Sequence, residues 1–436
     1  MNILARLTIF LSLILLVNPI SAQRPNIIYI MTDDMGYGDL SCYGNKKFLT
    51  PNLDKLASQG VKFVNAYAAA PVCTPTRTAL MTGRYPARLP VGLMEPLRSP
   101  KKDSAVGLTR DIPSLGTLMK AGGYETVLIG KWHLGFMPQH SPTKNGFDYF
   151  FGIHSGGADY ISHKGENGTK AHDLYENDSQ VHTEGYLTDL LSQKSVSFIS
   201  QKHTKPFLLI VTFNAPHWPW QGPGDLAYPD STEFTAGGSP SVYADMIKSM
   251  DDGVGRIMKA LDDSQLSSNT MVIFTNDNGG ERYSDNGGLS KRKMTLWEGG
   301  IRVPALVKWP GKINAGKITQ QVATTMDWTA TILKAGGAKA DKSFPLDGID
   351  LVPVLTGKSK NIDRTLYWRT FQRTKHKAVR DGKWKYLEDE KGEYLFDLGV
   401  DQAEKNDLKT KEKKQFEKMK LKLAEWEKTV LQPIPL

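Results

Sequence analysis

Short apolar runs alternate with helical patterns along the first two-thirds of the chain. The alternation of the two patterns predicts an α/β fold, in which helices sandwich a large, mixed and mostly parallel sheet. The predicted helices include Ser114–Ala121, closed by Gly122-Gly123, and Tyr243–Leu261, where apolar residues share one face. The apolar runs predict strands at Asn26–Met31, Glu125–Ile129, Phe207–Phe213, Met271–Thr275 and Val303–Lys308.

After about Phe344 the pattern changes to short strands joined by turns. Four runs predict a small antiparallel sheet, at Leu366–Trp368, Lys377–Arg380, Lys383–Leu387 and Glu393–Leu398. Apolar residues then recur at helical spacing and predict a closing amphipathic helix: Phe416, Met419, Leu423, Trp426 and Val430. We therefore expect a catalytic α/β domain at 23–345 and a C-terminal subdomain at 346–436.

The first 22 residues have the pattern of a secretory signal peptide. Arg6 supplies the positive charge, Leu7–Val17 forms the apolar segment, and Ile20-Ser21-Ala22 is a small-residue cleavage site. The apolar run is shorter than the roughly 20 residues that a membrane-spanning helix needs. We therefore expect a secreted or periplasmic protein that has no membrane association once the signal is removed.

Composition adds little to this picture. The formal net charge is +9, and residues 409–430 contain eight lysines and four glutamates. Such a surface attracts polyanions, but a lysine-rich run is more often the solvated face of a helix. The charge agrees with an anionic substrate, and no nucleic-acid partner is expected.

The chain has two cysteines, Cys42 and Cys73. A disulfide bridge between them is the simple alternative to a reactive Cys73.

Polar clusters follow four of the predicted strands. These clusters are Asp33-Asp34, Lys131-Trp132-His133, Ala215-Pro216-His217 and Asp277-Asn278. Open α/β sheets bind ligands beyond the carboxyl ends of their strands, so the four clusters should meet in one crevice.

The acidic clusters predict a metal site. Asp33, Asp34, Asp277 and Asn278 offer three carboxylates and one amide, which are hard oxygen donors that suit Ca²⁺ or Mg²⁺. Adjacent carboxylates repel each other unless a cation lies between them. Taken alone, Asp33-Asp34 is equally well explained as the cap of a turn.

Cys73-Thr-Pro-Thr-Arg77 is the most informative short segment. A helix is predicted to begin at Thr74, so residue 73 would lie at a helix N-terminus, where backbone N–H groups favour negative charge. Arg77, one turn further on, could hold an oxyanion. A buried structural cysteine is the alternative.

Lysines and histidines at the strand ends add cations and groups that can carry protons. Composition alone does not decide which lysine of the 287–304 loop points into the site.

The order of these segments resembles the sulfatases of the alkaline phosphatase superfamily, type I or formylglycine-dependent and arylsulfatase-like. The matching pieces are N-I-I-Y-I-M-T-D-D-M-G-Y-G-D, C-T-P-T-R, G-K-W-H-L-G, A-P-H, T-N-D-N-G and E-G-G-I-R-V-P. The similarity extends from about Pro25 to Asn406 and implies an alkaline phosphatase-like fold. One departure, Asp401-Gln402 where the family often has Asp-Pro, is far from the chemistry.

The resemblance implies a role for each site residue. A maturase, acting as a transient partner, would oxidise Cys73 to formylglycine, whose hydrate attacks sulfur and forms a covalent sulfate ester. Asp33, Asp34, Asp277, Asn278 and residue 73 would hold Ca²⁺, in preference to Mg²⁺. Of the remaining catalytic residues, Arg77 and Lys131 would orient the hydrate, and His133 would act as the base of the second step. His217 and Lys293 would bind the sulfate and assist the leaving group. Lys293 is preferred to Lys291 because of its spacing to Glu298-Gly-Gly.

The expected substrate is a sulfated carbohydrate or polysaccharide, of the galactose or hexosamine type. His154, His163, Trp218 and Arg282 are the candidate sugar contacts. Two alternatives remain at this stage. One is a formylglycine-dependent phosphonate or phosphodiester hydrolase, because sulfate and phosphate esters share tetrahedral geometry. The other is a catalytically silent protein that binds sulfated glycans.

Overall fold

The computed structural model describes residues 24–98, 105–166 and 171–434. The predicted signal peptide lies outside these residues. Within them, no helix combines the length and the apolar character needed to cross a membrane. The strands are β1 Asn26–Thr32, β2 Val61–Phe63, β3 Ala66–Tyr67, β4 Glu125–Lys131, β5 Tyr149–Ile153, β6 Leu174–Glu176, β7 Ser179–Gln180, β8 Phe207–Thr212, β9 Thr270–Asn276, β10 Ala305–Lys308, β11 Lys317–Thr319, β12 Ala323–Thr324, β13 Thr365–Arg369, β14 Lys377–Asp381, β15 Trp384–Asp389 and β16 Gly392–Asp397.

A ten-stranded sheet forms the centre of the molecule, in the order β11-β2-β10-β9-β1-β8-β4-β5-β6-β7. The five strands from β9 to β5 run parallel to one another, whereas β10, β6 and β7 pair antiparallel. The parallel strands point their carboxyl ends to the same edge of the sheet, so residues that follow them can meet there.

Helices cover both faces of this sheet. The α-helices of the described residues are α1 Pro51–Ser58, α2 Cys73–Thr82, α3 Leu115–Ala121, α4 Leu187–Ile199, α5 Pro240–Asp263, α6 Glu298–Ile301, α7 Thr325–Gly336, α8 Val352–Leu355 and α9 Lys413–Glu427, of which α9 packs on the small C-terminal sheet instead. In β1, Ile27 and Tyr29 pack into the core beneath α2, α3 and α7, whereas Ile28 and Ile30 pack beneath α1, α4 and α5. Both faces of the strand are buried, which explains why its sequence is a continuous apolar run.

The predicted fold class is confirmed. The structure shows the large mixed, mostly parallel sheet with helices on both faces and a separate four-stranded antiparallel sheet, β13-β14-β15-β16. Two strands begin later than predicted. β15 starts at Trp384 rather than Lys383, and β10 starts at Ala305 rather than Val303, because Pro304 has no N–H to donate to a neighbouring strand. The division at residue 345 stays a prediction.

The small sheet packs against the α/β part of the chain. Trp368 of β13 donates its ring N–H to the carbonyl of Ala68 at 2.8 Å, and its ring lies 5.5 Å from that of Tyr67. The closing helix α9 buries Met419, Leu423 and Trp426 against the other side of the sheet. The C-terminal residues therefore share a core with the elements around α2 and α6.

A buried ionic network joins the two parts. Lys385 of β15 lies 2.9 Å from a carboxylate oxygen of Glu298 and 2.7 Å from one of Glu404, and all three side chains are fully buried. The second oxygen of Glu298 accepts from Arg302 at 2.8 Å and from the hydroxyl of Tyr67 at 2.7 Å. Burial lowers the pKa of the Lys385 ammonium, but Glu298 and Glu404 outweigh burial and raise it.

Replacing Lys385 with methionine should lower the free energy of unfolding by about 3–5 kcal/mol, because two buried carboxylates lose their shared cation. Urea denaturation followed by circular dichroism measures the change. The matched control is Lys391→Met at the exposed turn between β15 and β16, expected to change stability by less than about 0.5 kcal/mol. Equal stabilities for the two variants would show that the network contributes nothing.

Candidate active site

The site begins where β1 and β9 end side by side. Asn276, the last residue of β9, accepts a hydrogen bond from Thr32 at 2.7 Å and donates one to the carbonyl of Met35 at 2.7 Å. These bonds fix the two strand ends and place Asp33 and Asp34 next to Asp277. Asp34 has a φ of +67°, a backbone conformation that costs free energy outside glycine and is common at functional sites.

Cys73 is the first residue of α2, so it lies at a helix N-terminus as predicted, although the helix begins one residue before the predicted start at Thr74. Val72 before it is extended, Pro75 falls in the first turn, and Gly83 ends the helix at a φ of +65°. The hydroxyl of Thr74 donates to the carbonyl of His133 at 3.2 Å and accepts from the N–H of Leu97 at 3.2 Å. The helix start is therefore fixed to the segment that carries His133.

Lys131 and His133 follow the bend at the end of β4. Gly130 has a φ of +125°, and a Cβ added there would lie 1.9 Å from the carbonyl oxygen of Thr212, so only glycine fits. The carbonyl of Lys131 accepts from Arg77 and from Thr212, each at 2.8 Å. This bend directs the Lys131 ammonium into the site.

Lys293 reaches the site from a long loop before α6. Its N–H donates to the carbonyl of Gly280 at 3.1 Å, and the N–H of Met294 donates to the carbonyl of Pro71, next to α2, at 2.9 Å. The ammonium of Lys293 lies 2.7 Å from a carboxylate oxygen of Asp34, whereas Lys291 is exposed. The structure thus places Lys293, rather than Lys291, in the site.

Each of the three carboxylates has a cation beside it. Lys131 lies 2.5 Å from Asp33, Lys293 2.7 Å from Asp34, and Arg77 3.2 Å from Asp277. Burial raises the pKa of Asp33, but Lys131, His217 and Arg77 outweigh burial and hold that pKa well below its ordinary value. Burial and the nearby Asp33 raise the pKa of Asp277 well above its ordinary value.

Several oxygen atoms of this cluster fit a divalent cation. Asp33 Oδ1 and Asn278 Oδ1 are buried and have no hydrogen-bond partner, although buried polar atoms are nearly always paired. Oxygens of Asp33 and Asp34 and a ring nitrogen of His217 lie within 4.8 Å of one another. Asn278 donates its amide to Asp34 at 2.8 Å, which leaves its carbonyl oxygen free to bind a metal. Hard oxygen donors of this kind suit Ca²⁺ or Mg²⁺.

The two histidines of the site differ in which nitrogen is free. His133 directs Nε2 to the carbonyl of Leu97 at 2.9 Å and leaves Nδ1 buried without a partner. His217 directs Nδ1 to the carbonyl of Trp218 at 2.6 Å, and its Nε2 lies 3.6 Å from Asp34. A carbonyl can only accept, so His133 keeps its proton on Nε2 and His217 keeps its proton on Nδ1.

Burial also controls the charge of both rings. It lowers the pKa of His133 well below its ordinary value, with Lys131 adding to the effect. Burial likewise lowers the pKa of His217, to about 4, although Asp33 and Asp34 oppose it. Burial raises the pKa of the Cys73 thiol to about 11, with Lys131 and Lys293 opposing it. The thiol is therefore neutral, and a neutral thiol is a poor nucleophile.

A cleft of about 220 Å³ opens above these residues. The predicted residues that line it are Cys73, His133, His217, Trp218, Arg282 and Lys293. The structure also brings Asp33, Asp34, Arg77, Lys131, Asp277 and Asn278 together, buried directly around Cys73 and Lys293.

Two predicted sugar contacts lie outside the lining of the cleft. His154 is buried between the rings of Phe150 and Tyr175, at centroid distances of 5.1 and 4.8 Å. His163 directs Nε2 to the carbonyl of Gly185 at 3.0 Å. Both rings fill space in the protein interior, so the structure gives them no direct path to a bound sugar.

The sequence analysis missed three charged residues in the lining, Glu166, Glu281 and Arg373. Glu166 belongs to the polar, glycine-rich stretch after β5, and such a composition only weakly indicates loops near a binding site. Arg373 belongs to the turn between β13 and β14, and no sequence signal connects that turn with the cleft.

Two protein-family models, taken together, and several known proteins match most of this chain. The Sulfatase family model matches residues 25–338, and the model "N-sulphoglucosamine sulphohydrolase, C-terminal" matches residues 286–429. N-acetylgalactosamine-6-sulfatase of Mus musculus is 33% identical over 366 residues, which cover 79% of this chain and 69% of that protein. Steryl-sulfatase of Homo sapiens is 32% identical over 439 residues, with 79% and 71% covered.

Similarity to solved structures covers more of the chain. The crystal structure of Ps i-CgsB in complex with k-i-k-neocarrahexaose superposes with a TM-score of 0.84 at 32% identity. The superposition covers 94% of each chain, so it includes the C-terminal sheet as well as the central one.

Proposed function

The chain belongs to the sulfatase family and is a sulfuric ester hydrolase, and on that premise we propose that it removes sulfate from a sulfated carbohydrate by means of a formylglycine derived from Cys73. The observation that carries the proposal is the convergence of Cys73, His133, His217 and Lys293 on the floor of one cleft. A nucleophile position, two proton carriers and a cation are what hydrolysis of an anionic ester requires.

Residue 73 is well placed for the nucleophile. The aldehyde hydrate of a formylglycine would supply a hydroxyl that attacks sulfur, together with a second hydroxyl that serine lacks. Residue 73 occupies the first position of α2, and the backbone N–H groups at a helix N-terminus favour developing negative charge. Arg77, 3.2 Å from Asp277, and Lys131, 2.5 Å from Asp33, orient the groups around it.

Asp33, Asp34, Asp277 and Asn278 would hold the divalent cation, for which we propose Ca²⁺. The cation would supply positive charge next to residue 73 and the sulfuryl oxygens. Asp33 Oδ1 and Asn278 Oδ1, both without a partner, support these two residues as ligands. His217, whose ring nitrogen lies 3.6 Å from Asp34, is close enough to contact the same region.

The tautomers of the two histidines support their separate roles. The unprotonated Nδ1 of His133 has no partner and can accept a proton from the hydrate in the second step. His217 donates its Nδ1 proton to the carbonyl of Trp218, so its Nε2 is the unprotonated nitrogen. A proton gained at Nε2 makes an imidazolium, which can donate that proton to the leaving oxygen. An anionic sulfate group beside His217 favours that protonation. Lys293 at the same wall attracts the sulfate.

The carbohydrate class is supported by relatives and by the cleft. N-acetylgalactosamine-6-sulfatase is a relative, and Ps i-CgsB was solved with k-i-k-neocarrahexaose. Trp218, half-buried in the cleft wall beside His217 at a ring distance of 4.3 Å, offers an aromatic face for a sugar. We propose a galactose- or hexosamine-type sulfate as substrate. The sequence of residues 1–22 supports export of the chain before it acts.

Turnover of 4-nitrophenyl sulfate and of phenyl phosphonate monoester by protein made with a formylglycine-generating maturase tests the proposal. We expect the sulfate ester to be hydrolysed with the higher kcat/KM, because the relatives that this chain resembles over most of its length are sulfatases. A preference for the phosphonate would assign the chain to the alternative hydrolase class. Hydrolysis of neither ester by protein with confirmed aldehyde would contradict the proposal.

A further inference from the structure

Two arginines of the cleft take no part in the proposed chemistry. Arg282 and Arg373 line the same cavity as Cys73, and both are exposed. They come from distant parts of the chain, one from the loop after β9 and the other from the C-terminal subdomain. Neither has a carboxylate within ion-pair distance among the residues that the structure describes.

The guanidinium of Arg282 is held in place by neutral groups. It lies over the ring of Trp220 at 4.9 Å and donates from Nη1 to the carbonyl of Thr235 at 3.2 Å. The neighbouring Glu281 is paired with Arg292, at 3.3 Å. Arg282 is therefore fixed by an aromatic face and a carbonyl, and its positive charge is not neutralised.

Arg373 is placed by a turn that is fastened on both sides. On one side, the N–H groups of Phe371 and Gln372 both donate to Glu95 Oε2 at 2.9 Å, and the N–H of Glu95 donates to the side chain of Gln372 at 2.9 Å. Glu95 is buried, and Pro96 beside it lines the cleft. The turn is thus bound to the cleft wall.

On the other side the turn is bound to the loop that carries Lys293. The hydroxyl of Thr374 donates to the carbonyl of Met294 at 2.9 Å, and the N–H of Leu296 donates to Nδ1 of His376 at 3.2 Å. The backbone around Arg373 is therefore ordered before any ligand binds. Pre-ordering of this kind lowers the entropic cost of binding through the side chain.

The charge of this wall fits a second anion. The lining contains two carboxylates, and that of Glu281 is already paired with Arg292. The two positive charges of Arg282 and Arg373 therefore stand against one further carboxylate, that of Glu166. Guanidinium groups bind sulfate and carboxylate through paired hydrogen bonds, and sugar rings pack on aromatic faces such as Trp218. The scissile sulfate has its own cation in Lys293, beside Cys73.

We propose that Arg373, together with Arg282, forms a second anion-binding subsite, which makes the enzyme prefer carbohydrates that carry a further sulfate or carboxylate group besides the scissile sulfate. The inference rests on the proposed function and specifies its substrate class. The C-terminal subdomain thereby contributes directly to substrate selection.

Isothermal titration to full-length, Ca²⁺-loaded Cys73→Ala protein tests the subsite without turnover. The probes are galactose 6-sulfate, a carrageenan disaccharide with two sulfate groups, and a monosulfated chondroitin disaccharide whose second anion is a carboxylate. Adding Arg373→Ala should weaken binding of at least one doubly anionic probe by roughly 10- to 100-fold, the value of a charge-assisted hydrogen bond. The binding of galactose 6-sulfate should fall much less.

Lys375→Ala is the matched control, because Lys375 is an exposed cation on the same turn that does not line the cleft. It should leave all three affinities unchanged, and Arg373→Lys should restore part of the loss. The probe that loses more identifies the second anion as sulfate or carboxylate. Equal losses for all three probes, equal effects of Arg373→Ala and Lys375→Ala, or no loss at all would overturn the subsite. Absence of aryl sulfate hydrolysis would instead refute the proposed function.

Discussion

Replacing Cys73 with alanine is expected to lower the turnover of 4-nitrophenyl sulfate by roughly 10⁶-fold, the loss that follows removal of the nucleophile in other hydrolases. Cys73 is buried at the first position of α2 and shares a cleft with His133, His217 and Lys293. The alanine variant keeps Asp33, Asp34, Asp277 and Asn278 and both histidines, but it has no group that can become an aldehyde. Steady-state kinetics on protein made with the maturase measures the loss.

Cys42→Ala is the control for this variant, because Cys42 is the second cysteine and lies away from the cleft. Its N–H donates to Asp54 at 2.8 Å, and that contact does not need the thiol. Turnover by Cys42→Ala should match the unsubstituted protein within about twofold, because the partly buried Cys42 side chain does not line the cleft. Substantial sulfate release by Cys73→Ala would show that another residue is the nucleophile.

Replacing Asp277 with asparagine should weaken Ca²⁺ binding by at least about 10- to 100-fold, since even changes to groups behind the metal ligands cost that much. Asp277 is fully buried, accepts the N–H of Asp34 at 3.3 Å and pairs with Arg77 at 3.2 Å. Asparagine keeps the shape but removes the charge, so kcat should also fall by about 10²–10³-fold. Calcium titration by calorimetry, paired with kinetics at saturating Ca²⁺, separates the two effects.

Asp251→Asn serves as the matched loss of a buried carboxylate outside the site. Asp251 of α5 accepts from the backbone of Asn52 and Leu53 at 3.1 and 2.9 Å, so its replacement should lower stability without changing metal affinity. An Asp277→Asn protein with unchanged calcium affinity would remove Asp277 from the ligand set. Similar calcium affinities for the two variants would lead to the same conclusion.

The central part of the site could be predicted because of one regularity of open α/β sheets. Asp33, Lys131, His217 and Asp277 all stand at or just after the carboxyl ends of parallel strands, and the strands themselves are continuous apolar runs. Parallel pairing brings those ends to one edge. Local sequence therefore identified residues that are distant in the chain and close in space.

The loop residues that line the cleft could be predicted only in part, because their positions depend on how loops pack. His154 also follows a parallel strand, β5, yet its ring lies between Phe150 and Tyr175 instead of facing the cleft. Arg373 comes to the cleft only because Glu95 and Met294 bind the two sides of its turn. Such long-range contacts leave no periodic pattern in the sequence.

The mass of the tryptic peptide Phe63–Arg77, from protein purified from its native cell and active on a sulfate ester, tests the central claim most directly. Trypsin cuts after Lys62 and Arg77, so this peptide contains Cys73 and no other cysteine. We predict a mass in which an aldehyde, or its hydrate, replaces the CH₂–SH group of residue 73. An unmodified cysteine in protein that hydrolyses sulfate esters would contradict the formylglycine mechanism.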